Sequence, residues 1–306
     1  MRERCRFQAH AELPIRAGFT LIEMAIVLVI IGLIVGAVLA GQSLIYAATL
    51  RSVISQQLQI QTAIATFRGK YNCLPGDCAN ASAFGFTGGD PGQVQNNGNG
   101  DGIIGPPNGY LFSQPAADEP APNNEPVAFW AHLSQAGLIS GYKFSGWGPG
   151  TPAVTALQPY GIAFPSKIRS CAWYVGYSAS ATTLGTGGSY LAPPNLTGLG
   201  NVLALVGPNT QCAFITCGGS MFSECLTPQE AQDIDTKADD GMPWTGNVRG
   251  ASGGNYIDNP PYSNAAGWVM PPNQCAVTPT LTSTYGPPKT DYLDRCNLLF
   301  RISTEP

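Results

Sequence analysis

Ala17-Gly18-Phe19-Thr20-Leu21-Ile22-Glu23-Met24 opens the apolar stretch that decides how this chain folds. From Met24 to Leu50, 27 residues pass without an Asp, Glu, Lys or Arg. A bilayer core takes about 20 apolar residues as a helix, so this stretch is long enough to span one. The residues before it are polar and carry four arginines, Arg2, Arg4, Arg6 and Arg16. A secretory signal is cut after its apolar region, at a site of small residues. Here the small residue, Gly18, comes before the apolar region, so a cut there leaves that region on the mature protein. A single carboxylate, Glu23, sits one turn inside the apolar helix. An ionised carboxylate in a membrane helix costs on the order of 2.5–3.5 kcal/mol on insertion scales and is rarely kept without a partner. A cut between Gly18 and Phe19 frees an amine that a neighbouring chain can offer to Glu23. The alternative is a Glu23 solvated near the membrane interface.

Gly18, Phe19, Thr20, Leu21, Ile22 and Glu23 read G-F-T-L-I-E. With its basic leader and long apolar helix, the segment resembles the class III leader of type IV prepilins and of type II secretion pseudopilins. The resemblance implies cleavage between Gly18 and Phe19 by a prepilin peptidase, N-methylation of Phe19, and assembly through Glu23 and the Phe19 amine of the next subunit. It also implies an α+β, pilin-like fold. A long N-terminal α-helical spine, transmembrane in its first half, would carry an antiparallel β-sheet in a loop-rich, disulfide-bonded globular domain. The expected division is a leader at 1–18, a helix at 19–71 and a globular periplasmic or extracellular domain at 72–306. Within the helix, 19–45 is the transmembrane and assembly part and 46–71 is amphipathic.

The residues support that division without the family. Leu50, Ile54, Leu58, Ile60, Ile64, Phe67 and Tyr71 recur at helical spacing, with Gln56, Gln57 and Gln61 assigned to other faces. A helix of about 50 residues runs about 75 Å. Gly32 and Gly36 form G-x-x-x-G, with Gly41 beyond; such residues let membrane helices approach closely, and glycine is common in them in any case. No proline falls between Phe19 and Tyr71, unlike many pilins, so any softening of the helix belongs to these glycines.

Composition bounds the remainder. Charged residues are 11% of the chain, and 37 Gly with 26 Pro point to a loop-rich, β-leaning exported domain. The first 18 residues hold four of the 15 basic and two of the 19 acidic residues, leaving 11 against 17, a net of −6. No basic surface for nucleic acid is expected. Of nine cysteines, Cys5 leaves with the leader, and Cys73, Cys78, Cys171, Cys212, Cys217, Cys225, Cys275 and Cys296 remain. An even number beyond a membrane helix fits disulfides in an oxidising compartment. Cys73–Cys78 would close one turn and Cys212–Cys217 a short hairpin. The rival reading, a zinc site, lacks a C-x₂-C pair or a nearby histidine.

Tyr71-Asn72-Cys73-Leu74-Pro75-Gly76-Asp77 is a stop-and-turn in which Pro fixes one backbone angle, Gly permits the next and Asp bonds a nearby amide. It resembles the Y-x-x-L-P-G-D segment of large prepilin-like proteins. A Gly-, Asn- and Pro-rich loop from Gly85 to about Pro126 contains Asn97-Gly98-Asn99-Gly100-Asp101-Gly102. Asn97, Asn99 and Asp101 place oxygens at alternate positions, as the first half of a calcium loop does, but the distal Glu is missing. A turn-rich loop is the other reading. Ala128–Ile139 reads as a short helix, with Phe129, Trp130, Leu133 and Leu138 toward the core and Gly137 at the C-cap. His132 has no nucleophile or carboxylate constellation around it and reads as a structural polar residue. Runs at 160–164, 171–177 and 201–206 are β-prone, and 298–302 reads as a last strand.

Thr227 caps a helix that Pro228 starts, with Glu230 completing a capping box. Asp233, Asp235, Asp239 and Asp240 follow, four carboxylates within eight residues that could gather calcium or end a solvated helix. This stretch resembles the I-D-x-K-x-D-D-G-x-P-x-T-G segment of large prepilin-like proteins. Calcium is the one cofactor for which the residues make a case. The expected partners are a prepilin peptidase, identical or related pilin subunits and the inner membrane. The expected function is that of a structural filament subunit, in a type IV pilus or a type II secretion pseudopilus. Alternatives are a minor tip pilin acting as adhesin or assembly primer, and a membrane-anchored enzyme. For the last, no G-x-S-x-G, P-loop or dinucleotide fingerprint is present.

Overall fold

The structure, a computed structural model, describes residues 19–86, 97–105, 125–140, 163–168, 171–178, 199–208, 222–223, 225–251, 275, 284–285 and 296–302. The chain divides into two compact units, Met1–Ala48 and Thr49–Pro306. A helix, α1, runs over Leu21–Tyr71. It is long and apolar enough to cross a membrane. In the first unit its Ile22, Leu28, Val29, Leu33 and Leu39 side chains are all exposed. Exposed aliphatic side chains around the whole helix suit lipid or other helices, not water.

The second unit is built on the part of α1 from Thr49 onward. Leu50, Val53, Ile60, Ala63, Ile64 and Phe67 are buried there. Two expectations from the periodicity need correction. Leu58 is exposed (56%), whereas Gln56 and Gln57 are buried. The stripe is rotated because the sheet reaches Gln56 with polar partners. The Gln56 Nε2 donates to the Pro165 carbonyl (2.8 Å). Its Oε1 accepts from the Lys167 amide (3.2 Å) and from the Trp173 indole (2.9 Å). A buried amide with partners on both its nitrogen and its oxygen is tolerated where an unpaired one is not.

Two further helices follow, α2 at Glu125–Gln135 and α3 at Pro228–Ala238. α2 begins three residues before the helix expected from Ala128, because Glu125 and Pro126 occupy its first turn. It ends at Gln135, and Gly137, in the expected capping role, is left-handed with a φ of 71°. The Leu138 amide reaches back to the Leu133 carbonyl (3.0 Å), a Schellman closure.

The strands are β1 (Phe164–Pro165), β2 (Ala172–Ser178), β3 (Gly200–Pro208), β4 (Phe222–Ser223), β5 (Val248–Ala251) and β6 (Asn297–Arg301). All pairings are antiparallel, in the order β1–β2–β3–β6–β5, with β4 on the end of β3. Register places Val175, Leu203, Phe300 and Val248 in one cross-strand row. Trp173, Leu205, Leu298 and Gly250 form the next. Such rows are the unit of sheet stabilisation, and their side chains pack with Phe67, Phe129, Trp130 and Leu133 in one core. Gly250 sits tightly in its row: a Cβ there would meet Tyr285, Cys275 and Pro243 at 3.1–3.3 Å, so these neighbours would have to give by a few tenths of an ångström. Long N-terminal helix, antiparallel sheet and disulfides together make an α+β, pilin-like fold.

Disulfides join Cys73 to Cys78, Cys171 to Cys225 and Cys275 to Cys296. The second ties the start of β2 to the segment before α3, and the third brings Cys275 onto the start of β6. Cys212 and Cys217 lie outside the described residues.

Candidate functional site

Three groups of residues carry chemistry: the start of α1, a carboxylate staple around Asp77 and Glu125, and an acidic turn after α3. At the first, Gly18 and the leader lie outside the described residues, and Phe19 is exposed. Thr20 precedes the first helical residue, and Glu23 is the third residue of the helix. The Thr20 amide (2.7 Å) and hydroxyl (2.6 Å) both donate to Glu23 Oε2. The Glu23 amide in turn faces Thr20 Oγ1 at 3.4 Å. This is a capping box: two helix-end donors, which have no intrahelical partner, are satisfied reciprocally. The periodicity and charge of the stretch do not single it out, but T-x-x-E directly ahead of an apolar run is its signature in the sequence. The consequence is geometric. Glu23 is held over the start of its own helix, with both Thr20 bonds on Oε2 and no bond to Oε1 among the described residues. Gly32, Gly36 and Gly41 have nothing within 4 Å of where a Cβ would stand, so neighbouring helices could approach there.

The second group begins where α1 ends. Asp77 accepts from three successive amides, Gly100 (2.7 Å) and Asp101 (3.1 Å) on Oδ1 and Gly102 (2.9 Å) on Oδ2. Glu125, at the start of α2, accepts from the Asn99 amide (3.0 Å) and the Gly105 amide (2.8 Å). Residues 97–105 are thereby stapled between the turn after α1 and α2. Burial, outweighing these amide bonds, pushes the Glu125 carboxyl up to about 8. It also raises Asp77 above the usual carboxylate range. His132 is buried beside them, and its Nδ1 accepts from the Gly76 amide (3.0 Å). Its ring stacks on Phe86, with centroids 5.3 Å apart, so its part is structural packing.

The oxygens of the 97–101 run are largely engaged by local amides. Asn97 Oδ1 accepts from the Ser82 amide (2.8 Å), Asn99 Oδ1 from Asp101 (2.9 Å) and Asp101 Oδ1 from Ile103 (2.8 Å). The last two are Asx turns, in which a short carbonyl side chain takes the amide two residues on.

The third group follows α3, whose N-terminus carries the expected capping box. Thr227 accepts from the Glu230 amide (3.2 Å), and Glu230 accepts from the Thr227 amide (2.9 Å). At the other end, Asp239 Oδ2 accepts from the Asn247 and Val248 amides. Asp240 Oδ1 accepts from the Met242 amide (2.9 Å), and its Oδ2 accepts from the Thr245 hydroxyl (2.5 Å). Gly246, with a left-handed φ of 69°, leaves no room for a side chain, since a Cβ there would fall on Asp239. Asp235 is wholly buried, and its Oδ2 accepts from the Tyr285 hydroxyl (2.9 Å). Burial lifts the Asp235 carboxyl to about 7. The structure gathers Asp235, Asp239 and Asp240, with one carboxylate oxygen from each within 4.8 Å of the others. Asp233 is not in this group; its Oδ1 accepts from Gln229 (3.1 Å) on the same helix.

Residues 14–39 match the family described as the prokaryotic N-terminal methylation motif. The match spans the end of the basic leader, Gly18-Phe19, Glu23 and the first half of the apolar stretch. It supports a type IV prepilin-like class III leader. No curated protein and no solved structure matches the chain.

Proposed function

We propose that this chain is a structural subunit of a type IV pilus or type II secretion pseudopilus, cut between Gly18 and Phe19 and assembled through its N-terminal helix. The methylation motif at residues 14–39 carries the reading, since it marks a pilin- or pseudopilin-type precursor. The apolar helix anchors the precursor in the inner membrane, with the globular domain on the periplasmic side. A prepilin peptidase removes the leader and methylates Phe19. The freed amine of one subunit then meets Glu23 of the next, in a low-dielectric layer of helices where an ion pair is worth far more than in water. The Thr20–Glu23 capping box supports this, because it holds the carboxylate at the helix start with Oε1 available. The protein is not an enzyme on this reading; its chemistry is that of assembly.

A minor, tip-located subunit acting as adhesin or assembly primer is a second reading, favoured by the 306-residue length. Glu23 weighs against a place at the very tip, where no subunit lies above to supply a partner.

Intact mass of the protein from cells with and without prepilin peptidase tests the proposal. Loss of residues 1–18 plus one methyl group is expected only with the enzyme, and a full-length mass in both strains overturns it. Glu23→Ala should remain in the membrane but drop out of sheared filaments. Normal incorporation of that variant would refute the assembly role of the carboxylate.

A further inference from the structure

Every amide from Asn99 to Gly105 donates to a side-chain oxygen. The segment therefore stays closed only while Asp77, Glu125 and Asn201 hold it. Within it lies Asn99-Gly100. In this dipeptide an asparagine side chain is most open to attack by the next backbone nitrogen, because glycine has no side chain to shield that nitrogen. Both residues are exposed. In the closed segment, hydrogen bonds to each reacting group block the attack. The Gly100 amide, the nucleophile, donates to Asp77 Oδ1 (2.7 Å). Removing its proton there would set an anion against a carboxylate. The Asn99 side chain is held at both ends, Nδ2 donating to Asp101 Oδ2 (2.9 Å) and Oδ1 accepting from the Asp101 amide (2.9 Å). Asn97-Gly98 is the same dipeptide in a tighter place. Its Gly98 amide donates to the Cys78 carbonyl (2.9 Å), and a Cβ on Gly98 would overlap the Asp77 backbone and the Gly76 carbonyl.

We propose that Asn99-Gly100 is a self-modification site gated by Asp77: when the segment opens, Asn99 deamidates, and the opening becomes permanent. The Gly100 nitrogen, released by Asp77, gives up its proton and bonds to the Asn99 Cγ. The Cγ–Nδ2 bond breaks, and Nδ2 leaves as ammonia with that proton, closing a five-membered succinimide. Water then adds to one of the two ring carbonyls, breaks its bond to the ring nitrogen and returns a proton to that nitrogen. The product is an aspartate at position 99, or an isoaspartate in which the main chain runs through Cγ. Nothing is oxidised or reduced, and water is the only co-reactant. Closed chains do not react, so the rate is that of a free peptide multiplied by the fraction of time the segment is open. Neither product restores the closed state. Isoaspartate lengthens the main chain by one carbon and takes the Gly100, Asp101 and Gly102 amides out of step with Asp77. Both products put a carboxylate where Nδ2 donated to Asp101, so that two like charges face each other. Release also strips the buried Asn201 side chain of its bonds to Ile104 and Gly102.

The test incubates the full chain in detergent at neutral pH and follows peptide maps by mass spectrometry, where deamidation adds about 1 Da and the two products differ in retention. An unstructured peptide of residues 95–104 gives the ungated rate. Asn99 in the folded chain should deamidate at least about tenfold more slowly than in the peptide, and ahead of Asn97. Asp77→Ala should bring the rate at Asn99 most of the way to that of the peptide. Should that variant fail to fold, hydrogen exchange at the Gly100 amide of the unmodified chain decides. The opening constant it gives should account for the ratio of the two rates to within about threefold, and a larger mismatch overturns the gating. Equal rates in chain and peptide overturn it too, as does an Asp77→Ala rate no faster than that of the unmodified chain. Reaction at Asn97 first overturns the choice of site. Deamidated chains that keep the exchange protection of the Gly100, Asp101 and Gly102 amides overturn the permanence of the opening.

Discussion

Gln56 is where α1 and the sheet meet, and replacing it tests the packing directly. In Gln56→Ala, three hydrogen bonds are lost: to the Pro165 carbonyl, the Lys167 amide and the Trp173 indole. They are not equal. Pro165 and Lys167 are exposed, so water replaces much of what they lose, about 1 kcal/mol together. Trp173 is wholly buried, and its N–H stranded without an acceptor costs about 1–3 kcal/mol. Removal of the buried methylene adds about 1 kcal/mol. The total, about 3–5 kcal/mol, corresponds to a fall in melting temperature of about 6–20 °C for a domain of this size. Guanidinium unfolding with the disulfides intact, followed by near-UV circular dichroism, measures it. Gln56→Leu, Trp173→Phe and the double variant complete a cycle. The two sites should couple by about 1–3 kcal/mol, because removing both polar partners relieves the orphaned indole. A coupling below about 0.5 kcal/mol would refute the argument, since that is the scatter expected of independent sites.

Two other expectations concern local groups. The Glu125 carboxyl titrates near 8 when folded and near 4.5 when unfolded. Between those values the folded state keeps a proton that the unfolded state has lost, so stability should fall as pH rises through the window, by on the order of 3 kcal/mol. Asp77, shifted in the same direction and facing the same loop, adds to the fall. Glu125→Gln should flatten the slope, and an unchanged slope by chemical denaturation at several pH values would contradict its origin in this burial. Thr227→Ala should cost about 1 kcal/mol through loss of the α3 capping box. Glu230→Ala on top of it should add less than it does alone, which equilibrium unfolding of the double variant checks.

Local rules wrote much of this molecule into its sequence. The apolar run and the residues around Gly18-Phe19 declared a membrane-length helix and a prepilin-like leader, because membrane length and charge exclusion act on consecutive residues. The end of α1 at Tyr71, the closure of α2 by Gly137, and the capping box at Thr227 are chemistries of four to six neighbouring residues. Where periodicity misled, at Leu58, Gln56 and Gln57, the reason is that helical spacing identifies a stripe but not its width or its partners. A glutamine is buried only if something distant satisfies it, and Trp173 lies 117 residues away.

The same distinction separates the functional groups. T-x-x-E at Thr20–Glu23 is legible as a capping box, because both partners lie within one turn of chain. The bonds of Asp77 and Glu125 across 97–105 were not legible, because they are made with backbone amides, which any sequence offers. In the acidic stretch, the sequence supplied four carboxylates in a row of eight residues but could not choose among them. The register of α3 turned Asp233 along its own helix, toward Gln229, and Asp235 inward. The left-handed Gly246 let the turn fold back so that Asp239 and Asp240 face Asp235. By itself, then, the sequence determined the membrane-length helix, the leader motif and the helix ends, since these depend on neighbours along the chain. Which polar groups lie buried, and which carboxylates converge, only the tertiary structure decided, since both depend on what the rest of the fold brings to them.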